Sequence, residues 1–325
     1  MLKKLSIKNP SIKTYLGDAF CFSIINDKAF TSGWVYDKYI NLQYCMNDNH
    51  MKYADYDYYD FCPNEGVFIK SFIYAPYINN NPNCLINYIK ELIEDEFYYF
   101  GIWNEARIPG ADGYNTHDGI YPHGCFIYGY DDEKRIFFTE GYKKNNIWGK
   151  FEVLYNTFVE SIRVGDICKD YYTFNGYKVN IEYEWKFDIK RMKNNLVNYL
   201  KADTYIENMN SYFGIEGCYK LFDYVEKQCV SLKHLHIPSI YNIFEHKTIM
   251  VKRIKFLSDN NYITNIELVN KFIEVCDTFR FILYKSLKYN SNKNNQVGNS
   301  LKNAAYESLN KEKDAIVLLL KELNY

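Results

Sequence analysis

The sequence predicts an α+β protein with two domains, an α+β domain over residues 1–185 and an all-helical bundle over 186–325. A chain of 325 residues is long enough for each half to bury its own core. The first half mixes helical and strand-like patterns, whereas helical periodicity without strands begins after about Lys186. No low-complexity linker separates the halves, which predicts that the two domains pack tightly.

Three elements are predicted before residue 104. Residues 17–25 are expected to begin a helix, with Asp18 near its N-terminus. Residues 83–94 are a second helix, because the apolar residues recur at helical spacing: Leu85, Ile86, Ile89, Leu92 and Ile93. The aromatic run 97–103 then predicts a strand.

A loop and a hairpin follow. Residues 104–121 open with many turn-forming residues and are predicted to be a loop. Two aromatic-rich runs, 125–130 and 135–140, are joined by a short charged turn, a pattern typical of a β-hairpin. Residues 181–185 alternate like one further strand.

Five helices are predicted in the second half. Asn-rich breaks such as 260–261 and 291–295 separate them. The helices are expected at 189–200, 215–226, 240–257, 266–287 and 301–323. Consecutive helices without strands are typical of a bundle.

Composition excludes several classes of function. Lys and Arg number 39 against 40 Asp and Glu, so no basic excess exists to hold nucleic acid or an anionic membrane. No apolar run approaches the length of a membrane helix, and the first residues lack the apolar core of a signal peptide. Aromatic residues reach 18%, with 34 Tyr, which fits AT-rich coding or an aromatic-lined groove.

Nine cysteines are present, and no two lie within four residues of each other. The sequence therefore contains no CxxC pair for zinc and no dense disulfide framework. Reduced thiols in the cytoplasm are the expectation. His234 and His236, two residues apart, are candidates for a metal, but two ligands alone are weak evidence, and no metal site is predicted.

The hairpin carries the residues that point to chemistry. His123 opens one strand and Glu140 closes the other, and antiparallel pairing is expected to bring them together. A carboxylate beside an imidazole fixes its tautomer and raises its basicity. Cys21, near the start of the first predicted helix, is the candidate nucleophile, because a helix N-terminus and an imidazolium stabilise a thiolate.

Alternatives remain open for each role. Cys45 is the second candidate nucleophile, and a chain without a functional thiol is the third possibility. His117 is an alternative base, and Asp131 or Asp132 is an alternative acid that is expected to face solvent in the turn.

The block HGCFIYGYDDEKRIFFTE, residues 123–140, resembles the histidine–strand–turn–strand–acid block of papain-like proteins related to bacteriocin-leader-processing peptidases. More narrowly, it resembles the N-terminal domain of butirosin-type acyltransferases. The resemblance covers about residues 10–180. The helical half also resembles members found beside nonribosomal peptide genes, including those of closthioamide-type amide formation. Related enzymes usually carry Asp where this chain has Glu140, after one fewer residue in the hairpin.

The resemblance implies an amide-forming acyltransferase of natural-product biosynthesis. An acyl group would pass from a carrier-protein thioester to Cys21 and then to a small amine that His123 deprotonates. No cofactor is expected to be bound, since the phosphopantetheine arm belongs to the acyl or peptidyl carrier protein. A cysteine peptidase of similar fold, and a non-catalytic protein that binds a peptide natural product, are the alternatives.

Further residues are expected to bind substrate. The loop before His123 offers Asn104, Glu105 and Arg107 for a polar or amine acceptor. Asp18, Asn41 and Gln43 are candidates for the side-chain donor of an oxyanion site, and the sequence does not choose between them.

Overall fold

The structure is a computed structural model that describes residues 1–54, 66–74, 83–115, 119–144, 146–162, 173–201 and 210–323. Its strands are β1 (Leu2–Lys4), β2 (Leu42–Cys45), β3 (His50–Tyr53), β4 (Phe68–Tyr74), β5 (Tyr98–Asn104), β6 (Pro122–Asp131), β7 (Ile136–Lys143), β8 (Ile147–Leu154), β9 (Thr173–Val179) and β10 (Ser211–Phe213). Its helices are α1 (Leu16–Thr31), α2 (Asn83–Glu94), α3 (Tyr155–Ile162), α4 (Ile189–Leu200), α5 (Gly214–Val230), α6 (Ile237–Asp259), α7 (Ile266–Ser291) and α8 (Val297–Glu322). The chain is thus a mixed α/β protein with antiparallel sheets.

The chain divides into two compact units. The described residues within 1–26 and 60–183 form the first unit, and those within 27–59 and 184–323 form the second. The division near residue 184 lies close to the boundary predicted between 185 and 186. Residues 27–54 differ from the prediction, because they belong with the C-terminal residues.

The first unit is built on an antiparallel sheet with the strand order β4-β9-β5-β6-β7-β8, to which β1 adds by pairing with β6. The predicted hairpin is present as β6 and β7, and the predicted 97–103 strand is β5. Residues 181–185, predicted as a strand, lie outside the strands. The strand of this region is β9, which ends at Val179.

Helices α2 and α3 cover one face of this sheet. Residue 83 begins α2 and residue 94 ends it, as the apolar spacing predicts. Ile89 of α2 and Phe158 of α3 belong to one buried cluster with Tyr99 and Trp103 of β5. Alternation along β5 therefore directs its odd-numbered side chains to this face.

Helix α1 packs on the opposite face. Its Phe20 ring stacks on Phe126 of β6 at 5.1 Å between ring centres and meets Phe100 of β5 edge-on at 5.6 Å. One turn further along, the Ser23 hydroxyl donates to Glu140 Oε2 at 2.7 Å. Both groups are buried, so this bond fastens α1 to β7.

Burial raises the pKa of Glu140 above its ordinary value near 4.5, although the Ser23 hydroxyl acts in the opposite direction. The folded state thus holds this proton more tightly than the unfolded state. The stability that Glu140 contributes through this proton is complete when the pH is below the pKa of the unfolded state. It is lost as the pH rises through the higher pKa of the folded state. We therefore compare the unfolding free energies of wild type and Glu140→Gln. The wild-type value minus the variant value should decrease as the pH rises from 4 to 7.

The expected fall is about 1.4 kcal/mol for each unit by which folding raises the pKa. Urea denaturation of both proteins at a series of pH values measures it. Glu133→Gln, in the exposed hairpin turn, is the control and should show no such trend. A constant difference between wild type and Glu140→Gln would show that Glu140 titrates alike in both states.

The second unit contains the five predicted helices as α4 to α8. It is not all-helical, however, because a three-stranded sheet with the order β10-β2-β3 belongs to it. Strands β2 and β3 come from before residue 60 and β10 follows residue 210, so local periodicity could not reveal this sheet.

A buried ionic network joins three helices of this unit and the segment that precedes β2. Lys247 of α6 forms an ion pair with Glu312 of α8, with 2.7 Å between Nζ and Oε2. Lys247 also donates to the Tyr199 hydroxyl at 2.8 Å, and its Nζ lies 3.3 Å from His246 Nδ1. His246 Nε2 lies 2.8 Å from the Ile40 carbonyl, so Nε2 carries the proton and Nδ1 can accept from Lys247. The three protons of the ammonium are therefore all used.

No helix within the described ranges is long and apolar enough to cross a membrane.

Candidate functional site

His123 lies near the start of β6. In register, His123 pairs with Trp103 of β5. Since Trp103 belongs to the cluster under α2 and α3, the alternation of β6 directs His123 to the same face. Its side chain is 31% exposed, which gives an external molecule access to the imidazole.

Glu105 is the carboxylate that meets this imidazole. Its Oε2 makes a short contact with His123 Nδ1. Its Oε1 accepts the Gly113 backbone N–H at 2.8 Å. The carboxylate is 5% exposed, so both of its oxygens are held in place away from bulk water.

This arrangement determines what the imidazole can do. A carboxylate accepts hydrogen bonds, so the proton of a neutral His123 lies on Nδ1 and the lone pair lies on Nε2. The Glu105 side chain at Nδ1 also stabilises the imidazolium that forms when Nε2 takes a proton. His123 and Glu105 together are equipped for general-base catalysis.

Asn104 fastens the segment that leads into β6. It is fully buried, and its amide donates to the Gly119 carbonyl at 2.7 Å and accepts the Tyr121 N–H at 2.8 Å. The Tyr121 carbonyl in turn accepts the Glu105 N–H at 2.8 Å. Asn104, predicted to bind substrate, lies at the site but uses its side chain on this backbone.

Tyr121 covers one side of His123, with 5.1 Å between the ring centres. Gly113 makes room for it, since a Cβ at position 113 would lie 2.4 Å from Tyr121 Cδ1. Burial, with the Glu105 and Asp112 carboxylates, raises the pKa of Tyr121, so its hydroxyl keeps its proton at neutral pH.

Glu140 is not brought to His123. Thr139 pairs with Ile127, which places Glu140 level with Phe126, three residues from His123. An odd separation along a strand puts side chains on opposite faces, and Glu140 binds Ser23 of α1. The expected contact between His123 and Glu140 is therefore replaced by the contact with Glu105.

Cys21 also lies on the other side of the sheet from the imidazole. A Cβ on Gly124 would contact Leu16 and Phe20 of α1. The side of α1 that faces the sheet is therefore the stripe of Leu16, Phe20 and Ser23. At about 100° per residue, Cys21 is turned about 100° from Phe20 and about 140° from Leu16. Its side chain is 1% exposed. The Cys21 thiol therefore does not point toward His123.

The remaining predicted residues are distributed over both units. Arg107 is exposed in the turn after β5, and Asp18 is half-buried in the first turn of α1. In the second unit, the Asn41 amide lies 3.4 Å from Asn195 Oδ1, and Gln43 donates to the Ser211 hydroxyl at 2.9 Å.

The alternative catalytic residues are also accounted for. Asp131 is buried rather than facing solvent, and it accepts the Glu133 and Lys134 N–H groups at the far end of the hairpin from His123. Asp132 pairs with Lys90 at 2.8 Å. Cys45 lies in β2, and His117 lies outside the described residues.

Sequence reasoning missed the roles of Glu105, Gly113 and Tyr121. Glu105 was predicted to bind an acceptor, whereas it orients the imidazole. A carboxylate directly after a strand that neighbours the histidine strand was the available signal. It could be used only once the pairing of β5 with β6 was known.

The chain matches no protein-family model, and it matches no curated protein in sequence. Within the described residues, no three His, Cys, Asp or Glu side chains come together as metal ligands.

Proposed function

We propose that this protein forms amides by transferring an acyl group from a thioester to an amine, with His123 as the general base. His123 Nε2 removes a proton from the amine as its nitrogen attacks the thioester carbonyl carbon. The tetrahedral intermediate then expels the thiolate, which takes the proton from the imidazolium. An acyl thioester and an amine thus become an amide and a thiol.

The observation that carries this proposal is the pairing of His123 Nδ1 with Glu105. The imidazole of this pair is partly exposed. Each oxygen of the Glu105 carboxylate has one partner, the Gly113 N–H for Oε1 and His123 Nδ1 for Oε2. A base of this kind typically contributes about 10²–10⁴-fold to a rate. A thioester is already activated, so a base that deprotonates the bound amine is enough without an acyl-cysteine.

Exposed apolar side chains next in sequence to Gly113 and Tyr121 support an acyl substrate. Tyr114 is 42% exposed and follows Gly113, and Ile120 is 43% exposed and precedes Tyr121. Apolar groups exposed next to a polar pair can pack against an acyl chain and displace water from it.

The proposal keeps the wider expectations of the resemblance. It includes a papain-like arrangement of the first unit, for which the packing of α1 on an antiparallel sheet with a histidine strand is the support. The acyl donor is a carrier protein whose phosphopantetheine arm supplies the thioester, and the reaction takes place in the cytoplasm.

Cys21 provides the test that separates this mechanism from an acyl-cysteine mechanism. We expect Cys21→Ala to retain amide formation within about threefold of wild type, since the thiol is buried and turned away from the stripe that faces β6. The assay incubates the protein with acyl N-acetylcysteamine thioesters and a panel of amines, and mass spectrometry quantifies amide and free acid.

A correctly folded Cys21→Ala protein that forms no amide would establish the acyl-cysteine mechanism instead. Free acid without amide, from wild type, would show that water is the acceptor and that the protein is a hydrolase. Absence of both products with every donor would overturn the proposed function.

A further inference from the structure

A second group of reactive side chains lies in the second unit, on the hairpin of β2 and β3. Cys45 and His50 are direct register partners across this antiparallel pair. Register partners project to the same face, with their Cβ atoms about 4.5–5.5 Å apart. Both residues are partly exposed, whereas Tyr44 and Met51 of the same strands are buried on the other face.

Asp48 lies in the turn between the two strands and faces the imidazole. Its Oδ2 is 3.4 Å from His50 Nδ1, and its Oδ1 accepts the His50 backbone N–H at 3.1 Å. A carboxylate at Nδ1 places the proton of the neutral ring there, so Nε2 is the basic nitrogen. Asp48 thus lies on the Nδ1 side of the imidazole, in a longer and more exposed contact than that between Glu105 and His123.

His236 supports the other side of the ring. The His50 and His236 rings are stacked with 4.4 Å between their centres and 15° between their planes. The Ser239 hydroxyl donates to the Asn49 carbonyl, so His236 Nδ1, 2.8 Å from this hydroxyl, is the donor in that contact. Burial and the neighbouring His50 lower the pKa of His236 to about 4. His236 is therefore neutral at pH 7, so it does not repel a protonated His50.

Lys52 adds a positive charge on the same face. It is two residues from His50 along β3, so its side chain projects to the face that carries Cys45. Burial lowers the pKa of Lys52, whereas the charges of Cys45 and Asp48 act in the opposite direction, as expected for close neighbours. An ammonium at this position stabilises a thiolate.

We propose that Cys45 is a nucleophilic thiol that accepts an acyl group from a thioester, with His50 as its base and Asp48 as the residue that orients this base. The Cys45 sulfur attacks the thioester carbonyl while His50 Nε2 takes the thiol proton. The carbon–sulfur bond to the donor then breaks, and the leaving thiolate takes this proton from His50. The products are an acyl-Cys45 thioester and a free thiol.

This activity goes beyond the proposed function. It uses residues of the second unit and leaves an acyl group covalently bound to the protein. The reaction at His123 leaves no covalent modification. The two are also measured separately, because acylation of Cys45 can be followed in a His123→Ala background in which amide formation is lost.

The experiment maps acylation of the full chain after incubation with an acyl N-acetylcysteamine thioester at pH 7.5. Proteolysis and mass spectrometry give the rate at each cysteine. Cys84 is the internal reference, because it is exposed at the start of α2 without a register-paired imidazole. We expect Cys45 to be acylated at least about tenfold faster than Cys84, despite its lower exposure.

We expect His50→Gln to lower the Cys45 rate at least about tenfold and to leave the Cys84 rate unchanged. His234→Gln, at an exposed histidine, is the matched control and should change neither rate. Local unfolding of the hairpin would expose Cys45 and raise its rate, so a fall cannot arise from misfolding. Asp48→Asn should produce a smaller fall in the same direction.

Two results would overturn the proposal. The first is a Cys45 rate no higher than that of Cys84. The second is a Cys45 rate that His50→Gln does not lower.

Discussion

Replacing His123 with alanine is expected to lower the rate of amide formation about 10²–10⁴-fold, the range that a positioned general base contributes. The substitution should lower kcat more than it raises KM. The imidazole accepts a proton in the transition state and is not needed to bind the substrate in the ground state. Rates of amide formation from an acyl thioester and an amine, measured by mass spectrometry, provide the test.

Glu105→Gln should lose a large part of the same activity for a specific reason. The carboxylate accepts at both oxygens, one from Gly113 N–H and one from His123 Nδ1. Glutamine has a single acceptor oxygen, so it either loses one of these bonds or presents its NH₂ to the ring and moves the ring proton to Nε2. The base is misplaced in the first case and absent in the second.

His234→Ala is the control for both variants, because His234 is exposed in the second unit. The NMR spectrum of the His123 ring gives a readout independent of activity. Wild type should show the proton on Nδ1, and a Glu105→Gln ring that faces the glutamine NH₂ should show it on Nε2. Full activity in His123→Ala would contradict the proposed mechanism.

The second large effect is expected from Lys247→Met. This substitution leaves the Glu312 carboxylate buried without its cation, and breaking a buried pair by removing one partner typically costs about 3–5 kcal/mol. The Tyr199 hydroxyl and His246 Nδ1 also lose a donor. Urea denaturation followed by far-UV circular dichroism measures the loss.

The double variant Lys247→Met/Glu312→Leu should recover most of this stability, because it removes both charges from the core. Lys302→Met is the matched control. Lys302 pairs with Asp223 and Glu226, but its side chain is 26% exposed, so we expect a loss below about 1 kcal/mol. Equal losses in the Lys247 and Lys302 variants would show that burial adds nothing to the Lys247 network.

Local patterns predicted most helices and the central hairpin, but they missed most of the other strands and the helix α3. Residues 83–94 form the expected helix to the residue, because its apolar side chains recur at a period that suits only one local structure. The five C-terminal helices were predicted for the same reason, and the hairpin of β6 and β7 was predicted from two aromatic-rich runs joined by a charged turn. Residues 181–185 show the limit of such patterns, since they alternate like a strand but have no strand partner in the described sheet.

The candidate site was predicted only in part. His123 opens its strand as expected, but its carboxylate is Glu105 rather than Glu140. Hairpin periodicity alone could not show this, because the identity of the neighbour on the other side of β6 depends on β5, about twenty residues earlier.

Some features depend only on short stretches of chain and can be predicted from this sequence. They are the residue types, the charge balance and the positions of most helices and turns. The sequence thereby identified His123 as a residue to examine and gave a charge balance without a basic excess. Strand order, register and the face that each side chain occupies depend on contacts between distant segments. Those contacts place Glu105 beside His123, turn Cys21 away from it, and join β2 and β3 to the C-terminal helices.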